Sequence, residues 1–173
     1  MNLDIAIWKL IPDASYHNNG DGSILWQDTR PQPSQAELEA AWVDWLNTDL
    51  KAQADEAIRA HYANQAEAFV TEAKSMRYLA KQLEIVAFDA GQRNAAYLPF
   101  MERRQMILDE VFSGGRTLQD ARDDWQAAID LGMQGLAEIE YYEELYRARL
   151  AQMVVESEQQ LLDWLASLGI SLQ

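Results

Sequence analysis

The sequence predicts a mainly α protein: a small N-terminal antiparallel β-hairpin or meander, followed by long antiparallel helices forming a helical hairpin or bundle. Three observations predict this. Three of the four prolines fall within residues 1–33, whereas residues 34–90 contain neither proline nor glycine. The turn-forming run "HNNGDG" (His17–Gly22) lies in the first segment, where Asn and Gly tolerate positive φ. Beyond Ser34 the large apolar residues recur at spacings of three and four, the period of a helix face.

These contrasts divide the chain into a small β element at 1–33, a long helix over 34–91, and helical segments over 92–173 that pack back on it. In the first segment, "LDIAIWKLI" (residues 3–11) reads as a strand, with Leu3, Ile5 and Ile7 on one side and Pro12 ending the run. "SILWQD" reads as the strand after the turn. So small a sheet is marginal alone and must lie against something.

Pro31 and Pro33 hold the next stretch extended, and Ser34 with Glu37 has the spacing of a capping box. Leu38, Trp42, Trp45 and Leu46 follow at helical spacing. "LNTDLKAQADEA" (residues 46–57) has few large apolar residues, which suits a bend near Asn47-Thr48-Asp49 or a solvated, protruding helix. From Ala66 a stripe emerges: Ala66, Phe69, Ala73, Met76, Ala80, Leu83, Ala87, Ala90. Its alternation of small and large residues suits close antiparallel packing or a short coiled coil.

Gly91 fits a C-terminal cap. "YLPFMERRQMILDEVF" reads as a shorter amphipathic helix starting near Pro99 and stopped by Ser113-Gly114-Gly115. Thr117 and Asp120 suggest the next N-cap. The helix from about Leu118 to Val155 carries Leu118, Ala121, Trp125, Ala128, Gly132, Gly135, Ile139, Tyr142 and Tyr146 on its stripe. Two internal glycines cost about 1 kcal/mol each against alanine, so a neighbouring helix should approach closely there, with the alanine-rich stripe as its natural source. "SEQQLLDWLASLGISL" closes the chain as an amphipathic helix ended by Gly169.

The chain of 173 residues is 49% hydrophobic, enough to bury a core, and carries a net charge of −14. Such a surface repels phosphate backbones and anionic membranes, so neither nucleic acid nor membrane is expected as a partner. Arg103-Arg104 is the one basic doublet. With no cysteine, disulfides, thiolate chemistry and Cys-based zinc sites are excluded. The N-terminus lacks the basic and apolar regions of a signal peptide.

No catalytic, cofactor-binding or metal site is expected. A carboxylate–histidine site in a bundle needs Glu-x-x-His, but Ile58 stands where that glutamate would precede His61, and His17 sits in turn chemistry. Glu138, Glu140, Glu143 and Glu144 form an acidic cluster that reads as a solvated face, with Glu143 and Arg147 at ion-pair spacing. A small metal-binding helical protein using His61 and this cluster is the alternative from another class. No Gly-x-Ser-x-Gly and no phosphate loop occurs.

The surplus is aromatic: six tryptophans. Trp42 and Trp45 share a helix face, while Trp8 and Trp26 fall in the expected strands. They either form one small core with the sheet or present a patch to a protein partner. Trp164 and Leu165 of the terminal helix are similarly placed to dock within the chain or onto a partner. The candidate partner contacts are therefore Trp8, Trp26, Trp42, Trp45, Trp164 and Leu165.

The segment around Trp26, Asp28, Arg30, Pro31, Pro33 and Ser34, of the form W-x-D-x-R-P-x-P-[ST], resembles the opening of small proteins encoded in tailed-phage tail modules. "GGRTLQDARDDWQAAIDLGMQGLAEIE" (residues 114–140) is similar to a downstream segment of the same kind of protein. The resemblance covers about the first 45 residues and this second patch. It implies a tail-fibre assembly chaperone or accessory protein, non-enzymatic and without cofactor. Such a protein aids the folding, trimerisation or attachment of the fibre in the host cytoplasm or stays in the finished tail. A structural baseplate or tail-tip subunit is the alternative within that setting, and a homo-oligomer is compatible with either.

Overall fold

A computed structural model of the chain describes residues 1–69, 72–112 and 114–172. It is mainly α with a small N-terminal antiparallel β-hairpin. The elements are α1 (Leu3–Leu10), β1 (Tyr16–Asn18), β2 (Ile24–Trp26), α2 (Gln35–Asn47), α3 (Asp49–Phe69), α4 (Glu72–Asp89), a 3₁₀ turn (Ala95–Tyr97), α5 (Pro99–Val111), α6 (Leu118–Gln152) and α7 (Glu158–Ser167).

The first correction is α1. Residues 3–10 are a helix, not a strand, and Trp8 lies on it. The Asn2 side chain accepts hydrogen bonds from the N–H groups of Asp4 and Ile5, which satisfies two of the donors a helix start leaves open. Asp4 in the first turn and Lys9 in the last suit the helix dipole. Ala6 and Ile7 are buried and Leu3 half-buried against α2, a set at helical spacing that alternation of Leu3, Ile5 and Ile7 conceals. The sheet is thus a two-stranded hairpin pairing Tyr16 with Trp26, His17 with Leu25 and Asn18 with Ile24.

The second finding concerns the 34–91 segment, which contains three helices. Ser34 and Glu37 form the expected capping box: the Glu37 N–H donates to Ser34 Oγ (3.3 Å) and the Ser34 N–H to Glu37 Oε2 (2.7 Å). α2 ends at Asn47, with the Thr48 N–H still donating to the Asp44 carbonyl (2.9 Å). Thr48 Oγ1 donates to the Asp44 carbonyl (2.7 Å) and Asn47 Nδ2 to the Val43 carbonyl (3.0 Å). Val70 and Thr71, between α3 and α4, lie outside the described residues, as does the Ala73 side chain of the expected stripe and Ser113 of the expected stop.

The chain forms two compact units, residues 1–61 with 143–173, and residues 62–142. They group the sequence differently from the segments 1–33, 34–91 and 92–173, because α3 and α6 each contribute to both.

In the first unit, Leu46, Leu50, Ala54 and Ile58 form a fully buried row at four-residue spacing. The expectation of a solvated, protruding helix at 46–57 is corrected: few apolar residues suffice when all fall on one face. α3 and the end of α6 run antiparallel here, tied by Arg147 to Asp55 (2.7 Å) and by Lys51 Nζ donating to the carbonyls of Ala151 and Met153. Asn47 clamps the segment after α6, accepting from the Val155 N–H (2.9 Å) and donating to its carbonyl (3.0 Å). α7, capped by Ser157, buries Leu161 and Leu165. Each fully buried aliphatic side chain contributes about 1.5–3 kcal/mol.

In the second unit the core is Ile85 and Phe88 of α4, Leu98, Met101 and Leu108 from and just before α5, and Ala121, Trp125 and Ile129 of α6. The expected α4 stripe is corrected: Met76 and Leu83 are 70% and 62% exposed. The buried face is instead set by Ile85 and Phe88, because α5 and α6 cover that side. Gly135 has the close approach its helix position calls for, since a Cβ there would lie 2.9 Å from the Phe69 ring. Gly132 does not, because a Cβ would meet nothing within 4 Å.

Candidate functional site

The joint between hairpin and α2, which carries the resemblance, is built for structure. The Trp26 indole N–H donates to the Arg30 carbonyl (2.7 Å), and its ring stacks on Tyr16 at 6.3 Å. Asp28 accepts from the N–H groups of Ser15 and Arg30 and from two nitrogens of the Arg30 guanidinium. The Arg30 side chain, then the two N–H donors, holds the Asp28 carboxyl far below the usual carboxylate range. Arg30 also donates to the Asp13 carbonyl. Every polar group of Trp26, Asp28 and Arg30 named here closes the chain on itself.

The tryptophans follow the same logic. Trp42 stacks on Trp45 at 5.0 Å, and Trp26 and Trp42 pack against the cluster of Ala6, Ile7, Leu38 and Ala41. Trp45 and Leu165 are buried in the first unit, the core alternative of the two the sequence leaves open. Trp164 is half-buried, edge-on to Tyr146 at 6.4 Å. Of the six candidates only Trp8, 53% exposed, stands open.

Two further constellations resolve plainly. Glu138, Glu140 and Glu144 are exposed, and Glu143 reaches Arg147 at 3.5 Å. Among the described residues no three His, Asp or Glu side chains come together in a way that could hold a metal ion. None of the described helices is long and apolar enough to cross a membrane.

The unpartnered surface lies in the second unit. Among the described residues, sixteen of the twenty-two exposed large hydrophobic side chains belong to residues 62–142. Between α4 and α6 a cleft of about 220 Å³ is lined by Phe69, Tyr78, Leu79, Ile129, Met133 and Leu136, with Gly132 opening its floor. A second groove of about 380 Å³ runs along α5, flanked by Phe100, Ile107 and Trp125, by the cations Lys81, Arg103 and Arg104, and by Asp124. The α5 helix that forms this wall is held by Glu84 of α4. Only 8% exposed, Glu84 accepts from the N–H groups of Phe100 (3.1 Å) and Met101 (2.8 Å). It thereby caps a helix whose own cap residue, Leu98, has no side-chain acceptor.

Sequence reasoning missed this surface because it weighted tryptophan. The signal was present in α5, where Phe100, Met106, Ile107 and Val111 outnumber the apolar residues that one buried face can use. The sequence matches no protein-family model, and neither a curated protein nor a solved structure matches it.

Proposed function

We propose that the chain is a non-enzymatic protein-binding helper of a tailed phage, acting on a tail-fibre protein as an assembly chaperone or accessory subunit. The observation that carries the binding part is the concentration of exposed apolar side chains on the second unit. Scattered apolar residues are ordinary on a protein surface, but a contiguous apolar cleft flanked by exposed Leu79 and Met133 is a feature of interaction surfaces. The tail-fibre setting is supported by the resemblance at Trp26–Ser34 and 114–140. In this reading residues 1–47 supply a rigid joint and the second unit supplies the binding face. The protein works in the host cytoplasm during assembly, or remains in the tail.

The test is co-expression with a tail-fibre gene from the genome that encodes this chain. The reading predicts more soluble trimeric fibre when this chain is present, and loss of that gain with Leu79→Ser and Met133→Ser together. Fibre that folds and trimerises equally well alone defeats the chaperone role, and mass spectrometry of purified particles then decides whether the chain is a tail subunit.

A further inference from the structure

We propose that the groove along α5 docks an acidic amphipathic helix of the partner protein, a specification that rests on the protein-binding reading above. The chain has 28 acidic and 14 basic side chains, so a cation has carboxylates to spare. Elsewhere Lys9, Arg30, Arg59, Arg116, Arg122 and Arg147 are ion-paired, whereas Lys51 and Arg93 donate to backbone carbonyls and Arg149 lies over the Tyr146 ring. At the groove, Arg104 pairs with Asp124 (2.7 Å), but Lys81 and Arg103 meet no carboxylate among the described residues. Lys81 instead stands over the Trp125 ring at 5.2 Å. Arg77, one turn before Lys81 on the same face of α4, adds a like charge at the spacing that repels.

Uncompensated cations in so acidic a chain leave a local positive field that a partner's carboxylates relieve. Phe100 and Ile107, 48% and 49% exposed, lie seven residues apart with Arg103 between them. The wall therefore presents apolar, basic, apolar over two turns, about 10.5 Å. A helix bearing apolar residues at i, i+3 or i+4 and i+7, with Asp or Glu at its flanks, matches both features. A phosphate backbone would meet the cations but leave Phe100 and Ile107 uncovered, and the net charge of −14 opposes its approach.

Fluorescence anisotropy of labelled synthetic peptides against the full chain tests this. Three probes suffice: leucines at helical spacing on a glutamate background, the same leucines on lysine, and the glutamate peptide scrambled. The first is expected to bind despite the repulsion of the acidic chain as a whole. Its affinity should fall about tenfold or more with Lys81→Glu and Arg103→Glu together, and fall with added salt. Circular dichroism verifies folding; should the double variant not fold, Arg103→Gln alone and the salt series on the unaltered chain decide. Equal binding of the scrambled peptide overturns the helix. Equal or tighter binding of the lysine peptide overturns the acidic partner while leaving a protein-binding surface. No binding by any probe overturns this groove, while the broader reading stands or falls on the co-expression test.

Discussion

Replacing Glu84 with alanine probes how the second unit holds α5 in place. The carboxylate accepts two backbone N–H bonds at 3.1 and 2.8 Å at the start of α5, where Pro99 has no N–H to give. Hydrogen bonds to a charged group contribute about 1.5–3 kcal/mol each. Two share one carboxylate here, and removing it also relieves the desolvation of a buried charge, so the sum is reduced. The favourable position at a helix N-terminus adds about 0.3–1 kcal/mol. The net expectation is a loss of about 2–3 kcal/mol for Glu84→Ala. For Glu84→Gln, which keeps one acceptor and loses the charge, about half of that is expected. Urea unfolding followed by circular dichroism measures the loss. Hydrogen exchange locates it: the Phe100 and Met101 amides are protected in the unaltered chain and should exchange far faster in Glu84→Ala. An alanine variant within about 0.5 kcal/mol of the unaltered chain, with both amides still protected, would refute the capping argument.

Three other outcomes can be checked on the same material. Asn47→Ala removes both bonds to Val155 and should cost about 1–3 kcal/mol by urea unfolding, with faster exchange of the Val155 amide. Gly132→Ala places a methyl in open space within a helix and should raise stability by about 1 kcal/mol in thermal unfolding; Gly135→Ala should gain less, because the Phe69 ring must move aside. Asp28 has a folded-state pKa below its ordinary value of 3.8, so its contribution is full above that value and is lost as pH falls through the folded-state pKa. Asp28→Asn should therefore destabilise the chain at neutral pH, and the difference from the unaltered chain should shrink in a pH series taken below about 4.

The helical plan and its punctuation were legible because they depend on local chemistry. The Ser34–Glu37 box and the Thr117–Asp120 pair each join residues three apart. The residues that failed to declare themselves answer to distant partners. Leu3, Ile5 and Ile7 alternate as a strand would, yet Asn2 caps them into a helix that α2 covers. Met76 and Leu83 continue a convincing stripe, but α5 and α6 bury the neighbouring face of α4. No local motif marks Glu84, because the N–H groups it accepts from belong to α5, sixteen and seventeen residues on. Trp26, Trp42 and Trp45 read as contact candidates for the same reason, since their partners (Tyr16, Arg30 and one another) are supplied by the fold.

The proposed assignment of binding to the second unit, with the joint as scaffold, is tested most directly by hydrogen exchange of this chain with and without the tail-fibre protein proposed as its partner. Protection is expected in residues 76–112 and 129–142, around Leu79, Phe100, Ile107 and Met133, with the Trp26–Trp45 stretch unchanged. Protection confined to residues 26–45 would contradict it and return the binding site to the joint.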